Sequence, residues 1–262
     1  MAQLDIPGAS IRYELSGEGG DWLVLLHEIG GTLESWSAAV PALEKRFRVL
    51  RYDQRGAGGS SKIEGAFSID TLAGDIPAIL SALGHRGACH FAGVAMGCAL
   101  AVRHAARNPD QVKSLMLACP ALSVSADRVQ YLSQRAAQVE REGMGATVDT
   151  TLGNSYPPEV VRDRAVYDAY RARFLANDPA SYAAINRAFA TFDATPDLPR
   201  LRCPTLVLAG AHDRLRPPSY VRDIAARVPG AQFRELDSGH VMPVQAPDAM
   251  AAAMAAFHAA NR

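Results

Sequence analysis

The chain has 262 residues, 48% of them apolar, with 27 basic side chains against 27 acidic, a size and balance that fit one large globular domain or a domain carrying an insertion. Its bases are 24 arginines and three lysines scattered among acids, so no long electropositive stretch points to a phosphate backbone, and nucleic acid is not an expected partner. The longest apolar run, residues 91–102, holds twelve residues and two glycines against the roughly 20 needed to cross a bilayer, which excludes a spanning helix there.

The opening residues, with Asp5 and no basic or long apolar region, do not resemble a secretory signal. Cys89, Cys98, Cys119 and Cys203 show neither CxxC spacing nor the density of a disulfide scaffold. Reduced thiols in a cytoplasm are the expectation.

From Gln3 to Pro120, short apolar strands alternate with Ala-rich helical patterns. The runs Leu23 to His27, Phe47 to Asp53 and Cys89 to Gly93 predict strands buried on both faces; residues 35–45, 69–83 and 96–109 predict the intervening helices, with Pro41 and Pro77 as interior breakers. Val112 to Cys119 predicts a further strand. Repeated crossovers of this kind give an α/β fold with a mostly parallel central sheet flanked by helices.

Between Ala121 and Pro199 the strand signal stops. Helical patterns at Val129 to Glu142, Pro158 to Ala176 and Ser181 to Phe189, separated by Gly, Asn and Pro, predict an inserted helical cap over residues 121–199. Strands then resume at Thr205 to Gly210 and Gln232 to Asp237, with helices at Arg222 to Val228 and at the end. Residues 1–120 and 200–262 are therefore expected to form the core, sharing a cleft with the cap.

The strand Cys89 to Gly93 runs straight into the helix pattern, placing Gly93-Val94-Ala95-Met96-Gly97 at the junction. Here the chain resembles the α/β-hydrolase superfamily, whose nucleophile elbow reads Gly-x-Ser-x-Gly, with Ala95 at the nucleophile position. The resemblance extends over almost the whole chain. Gly93 and Gly97 would allow the close backbone approach of a sharp elbow. His27-Glu28-Ile29-Gly30-Gly31 is similar to the family's His-Gly-x-Gly oxyanion segment, with Glu28 in place of glycine. That likeness implies the backbone N–H groups of Ile29 and Met96 as oxyanion donors. A carboxylate beside a developing oxyanion would oppose it, so Glu28 is expected to point away or bind a neighbour.

Asp53-Gln54-Arg55-Gly56-Ala57-Gly58-Gly59-Ser60 resembles a superfamily scaffold loop and lacks the GxGxxG of a dinucleotide site. Gly210-Ala211-His212-Asp213 and Asp237-Ser238-Gly239-His240 resemble the family's acid and histidine loops. The implied catalytic set is Ala95, Asp213 and His240, with Asp213 orienting His240. His27, His90 and His212 are assigned structural or loop roles. No HxH or HExxH spacing supports a metal, no cofactor is implied, and Cys98 and Cys119 are read as small packing residues rather than thiol nucleophiles.

With serine at position 95, the resemblance implies an acyl-enzyme hydrolase of a small ester, lactone or amide, similar to 3-oxoadipate enol-lactonases and related hydrolases of ring-cleavage products. A methyl group cannot attack, so the Ala95 chain reads as an inactivated Ser-to-Ala form. The alternatives are a natural cofactor-free enzyme using His240 directly as base, and a non-catalytic ligand-binding homologue. Arg128, Arg135 and Arg162 are candidates to fork around substrate carboxylates, as in a dicarboxylic lactone or amide, and Tyr131, Tyr167 and Tyr170 to line the cap side. The cap region also holds ten acids against eight arginines, so most of those arginines are expected to be solvated or paired. Monomer and homodimer are both open.

Overall fold

The computed structural model describes residues 2–260, the side chains of 259 and 260 excepted. Eight strands make one sheet: β1 (Ala2–Ile6), β2 (Ala9–Ser16), β3 (Asp21–Leu26), β4 (Phe47–Tyr52), β5 (Cys89–Val94), β6 (Val112–Ala118), β7 (Thr205–Gly210) and β8 (Gln232–Leu236). Their spatial order is β1-β2-β4-β3-β5-β6-β7-β8. The first two strands and the β2–β4 pairing are antiparallel, and every pairing from β4 to β8 is parallel. Parallel strands need crossovers, and the helices that supply them cover both faces; β5 and β7 are accordingly buried at every residue.

Among the described residues ten α-helices follow in chain order: α1 (Val40–Leu43), α2 (Ile69–Ala82), α3 (Met96–Arg107), α4 (Ala126–Glu142), α5 (Gly145–Ser155), α6 (Arg164–Leu175), α7 (Pro179–Ala190), α8 (Pro218–Ala226), α9 (Met242–Gln245) and α10 (Pro247–Ala260). None of the described helices is long and apolar enough to cross a membrane. The helix expected over 35–45 shrinks to a 3-10 turn at Leu33–Trp36 and the four residues of α1. Pro41 has no N–H to donate, so it opens that helix instead of sitting inside it. Pro77, by contrast, lies within an unbroken α2, whose first turn is capped by the Ser68 hydroxyl accepting from Thr71 N–H. The β1–β2 hairpin carried no distinct signal because β2 is half-buried almost throughout and shows no strict alternation.

Inserted between β6 and β7, helices α4 to α7 form a cap over the strand ends. Helix α5, unexpected from its Gly- and Thr-rich sequence, is held by burial of Val148 and Leu152 against Val139, Met144 and Tyr156. That cap core also takes in Val241 and Val244, which belong to the chain after β8. The cap is thus closed from below by the segment that carries His240.

Candidate active site

Four strand ends converge under the cap. At the end of β5 the chain turns into α3 through Ala95, whose φ of 51° and ψ of −115° put a residue with a Cβ in a region that favours glycine. Such a conformation costs on the order of 1–3 kcal/mol and persists where its surroundings hold it. The flanking glycines do so. A Cβ at Gly93 would fall 2.5 Å from the amide nitrogen of Cys98, and one at Gly97 would fall 2.2 Å from the carbonyl oxygen of Leu26. Strand and helix therefore meet at a separation that only glycine allows.

Beyond β3, His27 Nδ1–H donates to the Glu28 carbonyl at 2.8 Å, while its Nε2 accepts from Gln54 N–H at 3.0 Å and Gln54 Nε2 donates to the His27 carbonyl at 2.8 Å. His27 has both ring nitrogens engaged, which pins the loop bearing Glu28 and Ile29. Asp53 anchors the neighbouring loop: its Oδ1 accepts from Leu33 N–H, and its Oδ2 from Gly59 N–H and Arg12. Arg55 pairs with Asp75 through two bonds at 3.0 and 2.7 Å instead of with Asp53.

Past β7 and β8 lie Asp213 and His240. A Cβ at Gly210 would sit 2.4 Å from the Gly239 carbonyl oxygen, so glycine lets the histidine loop close on the acid loop. His212 N–H to Ser238 O, at 2.9 Å, ties them together. His240 Nδ1–H donates to Asp213 Oδ2 at 2.7 Å. The other oxygen of Asp213 accepts from the backbone N–H of Leu215 and Arg216 at 2.8 and 2.9 Å. Burial opposes its ionisation, but the charge and hydrogen bond of His240 and those two N–H groups outweigh it and hold Asp213 below the usual carboxylate range.

A cavity of about 260 Å³ brings Ala95, His240, Ile29 and Met96 together. Arg128, Arg135 and Tyr170 also line it. Arg162, Tyr131 and Tyr167 do not: Arg162 lies at the surface bonded to Asp237, Tyr131 is exposed beneath Arg128, and Tyr167 packs edge-on against Tyr156 in the cap. Helical spacing placed Tyr167 near Tyr170, yet the three-residue step turns it onto the neighbouring helix. His212 bonds Asp237 at 3.0 Å, away from Asp213. His90 meets Ser114 at 2.8 Å inside the sheet.

The sequence reading missed Arg216, a cavity residue three positions after Asp213; it sought arginines in the cap alone. Arg135 and Arg216 are half-buried, each leaves Nε without a hydrogen-bond partner, and neither Arg128, Arg135 nor Arg216 pairs with an acid among the described residues. Burial lowers the pKa of both Arg135 and Arg216, and Arg128 adds a like charge to each. Each of the three lies over a tyrosine ring instead: Tyr131, Tyr182 and Tyr220 respectively. Arg135 Nη2 also donates to the Tyr182 hydroxyl, and Arg216 Nη1 and Nη2 donate to the carbonyls of Leu215 and Ser123, so these guanidinium groups are fixed in place with part of their donor set left for a ligand.

Glu28, at 3% exposure, also lines the cavity. It binds neighbours, as expected: Ser35 and Tyr170 hydroxyls both donate to Oε1, at 2.8 and 3.0 Å. Burial, then the charge of Glu28, pushes the Tyr170 phenol far up, keeping it a donor.

Cys119, Asp213 and His240 place one potential ligand atom each within 4.8 Å of one another. The donor set is already spent, since Asp213 is engaged at both oxygens and the Cys119 thiol donates to the Gly239 carbonyl at 3.4 Å. Burial, reinforced by Asp213, pushes that thiol well up and disfavours the thiolate a metal needs. Cys98 is likewise buried, its thiol raised by burial and directed to the Gly93 and Ala118 carbonyls.

The pattern of the alpha/beta hydrolase fold family matches residues 21–247. The chain belongs to that family. Among curated relatives, RutD of Azorhizobium caulinodans, which bears the name of a carbamate hydrolase, is 31% identical over 92% of this chain and 91% of its own. Among solved structures, this α/β hydrolase is similar to the enol-lactonase of Burkholderia xenovorans LB400, 30% identical with a TM-score of 0.93 over 98% of this chain and all of that one. The thermophilic esterase of Thermogutta terrifontis, solved with malate bound, is 28% identical with a TM-score of 0.93 over 99% of this chain and 98% of that one.

Proposed function

We propose that this α/β hydrolase is built for acyl transfer from a small carboxylate-bearing ester, lactone or amide, with position 95 as the seat of the nucleophile and the chain in hand a Ser-to-Ala form that binds without turning over. The observation that carries the reading is the Cβ of Ala95, held in left-handed backbone on the wall of the cavity that also receives His240 and its partner Asp213. Strain at that point has no use for a residue that merely packs, because glycine would relieve it.

In this scheme residues 1–120 and 200–262 supply the chemistry and residues 121–199 the lid. A serine hydroxyl at 95 gives its proton to His240 as it attacks the carbonyl, and Asp213 stabilises the imidazolium. The carbonyl oxygen takes up charge facing the amides of Ile29, on the pinned loop, and Met96, at the start of α3, where the helix dipole adds to the field. His240 returns the proton to the leaving group, and water, activated by the same histidine, releases the acid. Arg128 and Arg135, from the cap, and Arg216, from the loop after β7, receive the substrate's carboxylate. The enol-lactonase and esterase relatives, one of them solved with a dicarboxylate, support the substrate class.

The test is Ala95→Ser. The parent should bind small carboxylic esters with no acyl adduct. The serine variant should hydrolyse p-nitrophenyl and dicarboxylic monoesters at least about 1,000-fold faster and show an acyl-enzyme mass, given that a working triad and oxyanion site supply at least this much. Absence of both turnover and adduct across esters, lactones and amides would overturn the proposal.

A further inference from the structure

The loop that carries His240 is tied to the cap through one carbonyl. Ser155 ends α5, where a helix leaves its last carbonyls without intrahelical partners. Its oxygen accepts from the His240 backbone N–H at 3.2 Å and from Gln245 Nε2 at 2.9 Å. Gln245 closes α9, a single turn after His240, and its side chain folds back onto the loop it came from. The amide lies against the α-carbon of Gly239, where a Cβ would fall 3.0 Å from Oε1 and 3.1 Å from Nε2. The Ser238 hydroxyl stands 3.3 Å from Oε1 and 3.3 Å from the Gly239 carbonyl oxygen, which also receives the Cys119 thiol. Ser155, Ser238, His240 and Gln245 are all buried. Gln245 nevertheless does not line the cavity that holds Ala95 and His240; it borders a separate depression with Tyr156 and Asp237.

We infer that Gln245 is a positioning residue, whose amide bridges the histidine loop to the cap at Ser155 and so fixes where the His240 imidazole stands beside position 95, a role whose catalytic consequence rests on the acyl-transfer reading. A general base must face the hydroxyl while its Nδ1 stays on Asp213. The Asp213 bond fixes one point of the ring, and the backbone must fix the rest. Glycine at 239 lets the loop approach β7 closely but offers no side chain to hold it; Gln245 fills the space where one would be. Without the amide, the Ser155 oxygen keeps the His240 N–H and the Ser238 hydroxyl keeps the Gly239 carbonyl, so no buried polar group is orphaned and the protein should still fold. What is lost is the second tie to the cap. A loop free to shift carries the imidazole with it, and misplacement near 1 Å costs about 100-fold in rate. Substrate affinity should stay as it was, because Gln245 lies outside the cavity wall.

The experiment is Gln245→Met, which keeps the length of the side chain and removes both hydrogen-bonding groups. In the Ala95→Ser background, kcat for p-nitrophenyl esters should fall about 10- to 100-fold while KM stays within about twofold, the split that separates placement of a catalytic group from binding. In the Ala95 protein, where no turnover is needed, proton NMR should show the His240 Nδ1 proton in slow exchange, and Gln245→Met should speed that exchange at least about tenfold in a protein that still melts cooperatively. The parent itself supplies a check that needs no variant. The His240 backbone amide and one Gln245 Nε2 proton share an acceptor, so their hydrogen-exchange protection should be alike. A folded Gln245→Met protein with parental kcat, a raised KM in place of a lowered kcat, an unchanged Nδ1 exchange rate, or a Gln245 amide that exchanges freely in the parent each overturns the inference. Faster Nδ1 exchange in Gln245→Met beside an inert Ala95→Ser protein would sink the hydrolase reading and leave Gln245 standing as the residue that places His240.

Discussion

The elbow makes a quantitative demand on Gly97. A methyl there would lie 2.2 Å from the carbonyl oxygen of Leu26 and 2.9 Å from that of His27. Both atoms are backbone at the end of β3, so no side chain can swing aside. Reaching even 3.0 Å requires α3 and β3 to separate by about 0.8 Å, in an interior packed as densely as a crystal. Overpacking typically costs about 1–3 kcal/mol, and a collision with rigid backbone belongs at the upper end. For a chain of this length about 3 kcal/mol corresponds to a fall in Tm of about 6–12 °C. The same displacement moves the amide of Met96 away from that of Ile29. In an Ala95→Ser background kcat/KM should drop about 100-fold, as expected for a misplacement near 1 Å. The paired control is Gly74→Ala, in the exposed middle of α2 with nothing within 4 Å of the added methyl, which should gain about 0.5–1 kcal/mol from helix preference. Thermal melts and ester hydrolysis of the two variants decide the matter. Gly97→Ala melting within about 2 °C of its parent with near-full activity would show that backbone approach is not what this glycine provides.

Further predictions concern charge. Burial pulls His104 and His258 down to about 4, so both stay neutral in the fold while the unfolded chain takes up protons below about 6.5. Stability should be full above that pH and decline as pH falls toward 4, by about 2 kcal/mol per histidine at pH 5; urea midpoints at pH 7 and 5 measure it, and His104→Leu should flatten the decline, whereas an unchanged slope would contradict the assignment. Asp213→Asn in the Ala95→Ser background should lower kcat by about 10,000-fold. The side-chain amide would face His240 Nδ1 with a donor and force the wrong tautomer, and a loss below tenfold in the p-nitrophenyl ester assay would remove Asp213 from the mechanism.

Two helices differ from the sequence expectation, one through a local backbone effect and one through tertiary burial. Residues 35–45 have helical composition but shorten around Pro41, and α5 forms from a sequence with weak helix preference because Val148 and Leu152 find partners across the cap. Local propensity is worth tenths of a kcal/mol per residue, and burial is worth more. Where propensity and periodicity agreed, as in β5 running into α3, the expected boundaries and the structure coincide closely.

By itself, the order of residues determined the alternation of strand and helix, the interruption between β6 and β7, and the glycines that bracket Ala95, because each of these is a one-dimensional pattern read by sterics along the chain. Tertiary structure alone decided which polar side chains face the cavity. Arg135 and Arg216 enter it while Arg162 turns to Asp237, Tyr170 reaches Glu28 while Tyr167 packs on Tyr156, and one oxygen of Glu28 is left unpaired. Those outcomes depend on pairings between residues as far apart as Glu28 and Tyr170. Long flexible side chains choose partners by proximity in the folded chain, and composition records that a partner exists without recording where it lies.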